Sequence, residues 1–242
     1  MNKLPVVTKN LLAINIVMFF ATIVAERNDI DLSNILGLHF FESSEFYPFQ
    51  LVTYMFMHSG VGHLFFNMFA LYMFGRTLEY VWGPKRFLTY YIIAGIGAGV
   101  VQEVVGAIRC FPLMNELDPQ AVEIVMNEGA NILRQKMNYI NPEMAELNIA
   151  LNSLTVGASG AIYAILLGFG MLFPNERMFI FPLPFPIKAK FFVIGYALIE
   201  LYMGTVGVAD SVAHFAHLGG MLFGFVLILI WRKKGEIGGP YV

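Results

Sequence analysis

Long apolar stretches, broken by very few charges, constrain this chain more than any other feature. Of its 242 residues, 57% are hydrophobic and 13% charged, against roughly 25% charged in an ordinary soluble domain. A hydrocarbon core about 30 Å thick takes about 20 mostly apolar residues per helix. Six stretches qualify, at roughly 9–26, 61–80, 86–107, 156–173, 189–206 and 212–231. The expected fold is all-α: a polytopic bundle of six transmembrane helices in one membrane domain, 1–242. The opening stretch NLLAINIVMFFATIVA resembles a signal peptide, but ATIVAER is a poor small-x-small cleavage site, so a retained helix is expected.

Charge placement sets the expected orientation. With both termini in the cytoplasm, the inner loops hold Lys3, Lys9, Arg76, Lys85, Arg86, Arg177, Lys188, Lys190, Arg232, Lys233 and Lys234, which is 11 of 15 basic residues. That bias matches the positive-inside rule and puts the starts of the second, fourth and sixth spans on the outer side. A net charge of -2 gives nucleic acid no purchase. The single cysteine, Cys110, permits no internal disulfide.

One polar insertion, 109–153, separates the third and fourth spans. Val122, Val125, Met126, Ile132, Leu133 and Met137 recur at near-helical spacing, so an amphipathic helix is expected, lying in the interface or against the bundle. On the outer side it would be an exosite, a lid or an inert appendage.

Polar residues inside a span are costly, about 2.5–3.5 kcal/mol for a central charge on insertion scales, so each needs a reason. Ser159 opens the fourth span in TVGASGAIYAILLG. There the backbone amides lack intrahelical partners and the helix dipole is positive. In the second span, HSGVGHLFFN sets His63 and Asn67 four residues apart, on one face. In the sixth, HFAHLGGMLFG sets Gly220 and Gly224 as a small-xxx-small seam, with His217 three residues before Gly220. The glycine-rich start of the fourth span, with Gly157 and Gly160, is the candidate partner of that seam, which would turn His217 towards Ser159.

A serine nucleophile needs a base, which His217 can supply, and a developing oxyanion needs donors, available from His63, Asn67 and the Ser159 amide. The acids near membrane depth, Glu79, Glu103 and Glu200, sit near other span ends or lack a clear link to His217, so a Ser-His dyad is expected rather than a triad. Tyr163, one turn after Ser159, can orient the imidazole by stacking. His214 shares a face with His217 and is read as a supporting polar residue, with the role of base as its alternative.

These residues resemble the rhomboid family of intramembrane serine proteases. GASG with Ser159 and Tyr163, AHLGGMLFG with His217, Gly220 and Gly224, HSGVGHLFFN with His63 and Asn67, and GRTLEYVWGPKRF carry the resemblance, over about 1–107 and 154–232. It implies a rhomboid-type six-helix bundle in a bacterial inner membrane, with its active site opening outward. Ser159 would be the nucleophile, and His217 the base and then the acid. His63, Asn67 and the Ser159 amide would form the oxyanion hole, Gly157 would support the site, and Glu79 would be a structural acid. The resemblance further implies transmembrane protein substrates in contact with lipid, no metal or nucleotide cofactor, and a fifth span that moves sideways to admit substrate. The first loop departs from the family, with Phe49 and Gln50 where many relatives have a Trp-Arg pair.

Three other readings compete. A metalloprotease would use Asp210, His214 and His217 as ligands, but no His-Glu-x-x-His motif occurs and Ser159 would have no role. A catalytically inactive relative would bind membrane helices without cutting them. A transporter would call for inverted repeats, which the sequence does not display.

Overall fold

The computed structural model describes residues 3–179, 185–206 and 211–237, and the side chains of these apart from 211–213. It is mostly helical. Helix α1 runs Val6–Glu26 and is followed by a first loop carrying α2 (Leu32–Leu36), α3 (Gln50–Thr53) and a 3-10 turn, Tyr54–Phe56. Next come α4 (Val61–Ala70), a π-helical turn (Leu71–Gly75) and α5 (Arg76–Trp82) in unbroken succession, then α6 (Pro84–Glu116). The insertion forms α7 (Pro119–Arg134) and α8 (Pro142–Asn152). Helix α9 (Ser159–Leu172), a two-stranded ribbon of β1 (Arg177–Met178) and β2 (Ile187–Lys188), α10 (Ala189–Val206) and α11 (Ser211–Lys233) complete the chain.

Four helices, α1, α6, α10 and α11, are long and apolar enough to cross a bilayer. Large apolar side chains lie exposed on their outer faces, among them Val17 and Phe20 on α1, Leu198 and Ile199 on α10, and Leu222 and Val226 on α11. Soluble proteins rarely expose so many large apolar side chains; with four helices of this length and composition, this is an integral membrane protein. The other two expected spans differ from simple crossing helices. One is the composite α4–π–α5 helix. The other, α9, has 14 residues and rises only about 21 Å at 1.5 Å per residue. It starts at Ser159, not at the expected 156, because Gly157 has φ +132° and interrupts any helix there.

Glycines set how closely α9 and α11 meet. A β-carbon on Gly220 would overlap the Gly160 carbonyl, so the two backbones touch directly, as the small-xxx-small spacing predicts. One on Gly224 would stand 2.8 Å from the Ala164 methyl. Towards the other end of the bundle, Trp82, Tyr90 and Trp231 pack edge to face, with Trp82 4.8 Å from Tyr90 and 5.8 Å from Trp231 between ring centroids.

Glu79 fixes the start of α1. Its carboxylate accepts the Val7 amide at 2.9 Å, the Thr8 amide at 2.7 Å and the Thr8 hydroxyl at 2.7 Å. These are first-turn amides with no intrahelical acceptor, and the negative charge faces the positive end of the helix dipole. The structural role expected of Glu79 thus has a concrete form, a cap supplied by another helix.

Gln50, where the first loop departs from the family, anchors that loop. Fully buried, it accepts the Tyr47 amide at 3.0 Å and donates to the carbonyls of Glu45 and Ile35, at 3.0 and 3.2 Å. A neutral amide both donates and accepts, so it ties several turns of loop together. An antiparallel bridge between Leu38 and Thr155, 2.9 Å in both directions, and a 2.9 Å bond from the Gly157 amide to the Tyr54 carbonyl join this loop to the approach to Ser159.

The insertion departs from expectation in two ways. Helix α6 continues past 107 through Pro112 to Glu116, so the first part of 109–153 extends the third span. The remainder is two helices in place of one, broken where Lys136 takes φ 59° and Pro142 restarts the helix behind an Asn141 cap. Val125 is buried as the periodicity implies, with Cys110, Leu117, Leu147, Leu151 and Phe40 of the first loop, whereas Met137 lies exposed in the break. Arg134 reaches Glu45 of that loop at 2.7 Å. The insertion therefore leans on α6 and the first loop.

Candidate active site

Ser159 is the first residue of α9, held in place by the direct contact of α9 with α11. Across that contact its Oγ lies 2.8 Å from Nε2 of His217. The glycine seam is the cause: with backbones touching at Gly160 and Gly220, residues one turn or less away on both helices come within side-chain reach. Tyr163, one turn further along α9, stacks on the His217 ring at 4.2 Å between centroids and 6° between planes. The expected stacking is present.

Behind the histidine the structure corrects the sequence reading. Glu200, on α10, is linked to His217: its Oε2 lies 3.1 Å from His217 Nδ1 and 2.6 Å from His214 Nδ1, and the Tyr163 hydroxyl donates to its Oε1. Glu200 is buried, 5% exposed, and each of its partners among the described residues is a side chain able to hold or release a proton. The signal was present in sequence, since an acid inside an apolar span calls for a partner. What periodicity could not supply was the rotation of α10 about its axis, because apolar residues surround that helix on all sides.

On the other side of Ser159 stand the expected donors. A β-carbon on Gly157 would lie 2.8 Å from His63 Nε2 and 3.6 Å from Ser159 Oγ, so the imidazole and the hydroxyl flank the bare face of this glycine. Both the positive φ and the close approach require glycine here. His63 Nδ1 is hydrogen-bonded to the Ser59 hydroxyl at 3.0 Å. When that hydroxyl donates, the ring proton sits on Nε2, the nitrogen facing the site. The sequence reading had overlooked Ser59. Asn67, one turn beyond His63, is buried with its Nδ2 donor unpartnered among the described residues. An unpaired buried amide donor is costly unless a ligand or water meets it.

Nearby His58 is also buried, packed edge-on to His63 at 5.0 Å, and desolvation pushes its pKa down to about 4. It is a neutral, fixed neighbour near pH 7. Glu200, His214 and His217 bring three ligand atoms within 4.8 Å of one another. Asp210, the third ligand of the metalloprotease reading, lies outside the described residues.

Comparison with known proteins gives the family. The Rhomboid domain family matches residues 45–111 and 128–234. An uncharacterized mitochondrial rhomboid protein of Schizosaccharomyces pombe is 28% identical over 211 residues, covering 76% of this chain and 52% of the relative. RHOMBOID-like protein 12, mitochondrial, of Arabidopsis thaliana is 27% identical over 185 residues, covering 76% of this chain and 45% of the relative. Rhomboid protease AarA of Providencia stuartii is 26% identical over 237 residues, covering 93% of this chain and 72% of the relative. The chain thus spans about half the length of the first two. Mitochondrial and bacterial proteins both occur among these relatives, so the expected bacterial inner membrane draws no support from them. The family match takes in both Ser159 and His217 and most of the chain's length; this membrane protein belongs to the rhomboid family.

Proposed function

We propose that the protein is an intramembrane serine endopeptidase that hydrolyses peptide bonds in or beside transmembrane segments of other membrane proteins. The observation that carries this reading is the 2.8 Å contact of Ser159 Oγ with His217 Nε2 at the start of a short helix inside an apolar bundle. In this reading the chain forms one membrane domain crossed six times, with α4–π–α5 and α9 as the second and fourth passes. The termini lie on the cytoplasmic side, and the insertion lies on the same outer side as Ser159. Relatives named as proteases, AarA and GluP, support the class of activity.

The mechanism follows from the donors and acceptors in place. Ser159 Oγ gives its proton to His217 Nε2 and bonds to the scissile carbonyl carbon, whose oxygen becomes an anion. The Ser159 amide, His63 Nε2 and Asn67 Nδ2 donate to that oxygen; removing one such donor typically costs about 2.7–4 kcal/mol in the transition state. His217 then passes the proton to the leaving amine as the C–N bond breaks, leaving an ester on Ser159. A water gives a proton to His217 and attacks the ester, and the return of that proton to Oγ frees the acid product.

A substrate helix must unwind to present an extended backbone, so segments with helix-breaking residues are favoured. Purified protein in lipid should cleave a labelled transmembrane reporter, and Ser159→Ala and His217→Ala should each abolish cleavage while folding is retained. Cleavage surviving Ser159→Ala would overturn the reading. The Glu200, His214 and His217 cluster favours a second reading, a metal-dependent hydrolase. Loss of activity to a chelator, restored by the ion, would select it.

A further inference from the structure

We propose that Glu200 is a positioning residue for His217, and that His214 in turn holds Glu200. This rests on the serine endopeptidase reading. Three observations converge. The Glu200 carboxylate meets His217 on Nδ1, the ring nitrogen opposite the one that meets Ser159. A buried carboxylate accepting at Nδ1 selects the tautomer with the proton there, leaving the Nε2 lone pair open to the serine hydroxyl. The second carboxylate oxygen is held by the hydroxyl of Tyr163, the same residue whose ring stacks on His217. One tyrosine therefore fixes both the plane of the imidazole and the acid behind it.

His214 supplies the remaining restraint. Its Nδ1 is closer to Glu200 Oε2 than that of His217, 2.6 against 3.1 Å, and the two rings lie at 85° to each other. Two histidines one turn apart on α11 thus converge on one oxygen from different directions. When His217 takes the serine proton it becomes a cation beside this carboxylate, so the charge that forms during acylation already has its counter-charge in a site of low dielectric. Among the described residues, the proton-bearing groups around His217 are Ser159 and Tyr163 from α9, Glu200 from α10, His63 from α4 and His214 from its own helix.

Glu200→Gln and Glu200→Leu test the idea, with Ser159→Ala beside them. Glu200→Gln keeps shape and an acceptor but removes the charge; Glu200→Leu removes both and suits an apolar span. We expect kcat to fall about 10²-fold in Glu200→Leu, less in Glu200→Gln, with KM unchanged. His214→Asn should give a smaller fall. Histidine-selective 15N NMR of the uninhibited protein gives a readout free of any substrate: His217 should carry its proton on Nδ1, and Glu200→Leu should release that preference. A kcat within about twofold of the parent in both variants, or a His217 that carries its proton on Nε2 in the parent, would overturn the proposal. If Ser159→Ala still cleaves, the endopeptidase reading fails instead.

Discussion

Two glutamates are buried in this membrane protein, and they are buried differently. Glu79, 4% exposed, and Glu200, 5% exposed, look alike by depth. Yet Glu79 accepts from two backbone amides and a threonine hydroxyl, while Glu200 meets two histidines and a tyrosine. Backbone amides do not titrate and do not move without the helix that carries them, so Glu79 is a joint. Imidazoles and a phenol exchange protons, so the surroundings of Glu200 fit the proposed active site. The chemistry of the donors, more than the burial of the acid, separates a structural carboxylate from a functional one.

The sharpest way to break this comparison is to remove Glu79. Glu79→Ala leaves three donors without their charged partner, each such bond being worth about 1.5–3 kcal/mol. With water reaching part of the gap, we expect a loss of about 3–5 kcal/mol in reversible unfolding, while kcat of the folded fraction stays within about twofold. A large fall in kcat at full stability would make Glu79 a site residue and end the contrast.

Histidines sharpen it next. His58 is buried and its two ring nitrogens have no partner among the described residues, unlike His214 and His217. Its folded pKa, about 4, lies below the unfolded value near 6.5, so the unfolded chain binds the proton first. Stability is then complete above pH 6.5 and falls by about 1.4 kcal/mol per pH unit towards pH 4. Replacing His58 with Phe should flatten that slope in an unfolding titration.

Glu200→Leu should do the reverse of Glu79→Ala. It leaves the Tyr163 hydroxyl and two imidazoles without their acceptor, a loss of about 1–3 kcal/mol, but its main effect is that turnover collapses. The smallest effect belongs to a third carboxylate outside the apolar bundle. Glu45 meets Arg134 in a half-exposed pair, a class typically worth about 0.2–1 kcal/mol. Arg134→Ala should therefore barely move stability, and a loss above about 2 kcal/mol would show that the insertion does more than lean on the first loop.

Sequence and structure agree most closely where a local rule governs the outcome. The Gly220 seam, Tyr163 four residues from Ser159, and the 189–206 span all follow from fixed periodicities on single helices. They diverge where contacts join distant segments. The link from Glu200 to His217 depends on how α10 is rotated, and an evenly apolar helix carries no stripe to reveal it. The departure from the family at Gln50 does not reveal its role in sequence, because an amide can answer amides and carbonyls at once. The late start of α9 came from one backbone angle at Gly157, and the break in the insertion from another at Lys136. Hydropathy alone weighs neither.

The clasp between Glu79 and the start of α1 also has a place in time. Helix α1 is made before α5, and the carboxylate that completes its opening turn is synthesised 71 residues after Thr8. At about 5–20 residues per second, that is an interval of about 4–14 s. Throughout it, water or lipid headgroups must serve the amides of Val7 and Thr8. Helix α1 is therefore docked only after the segment carrying Glu79 has arrived, and this part of the fold is completed backwards along the chain.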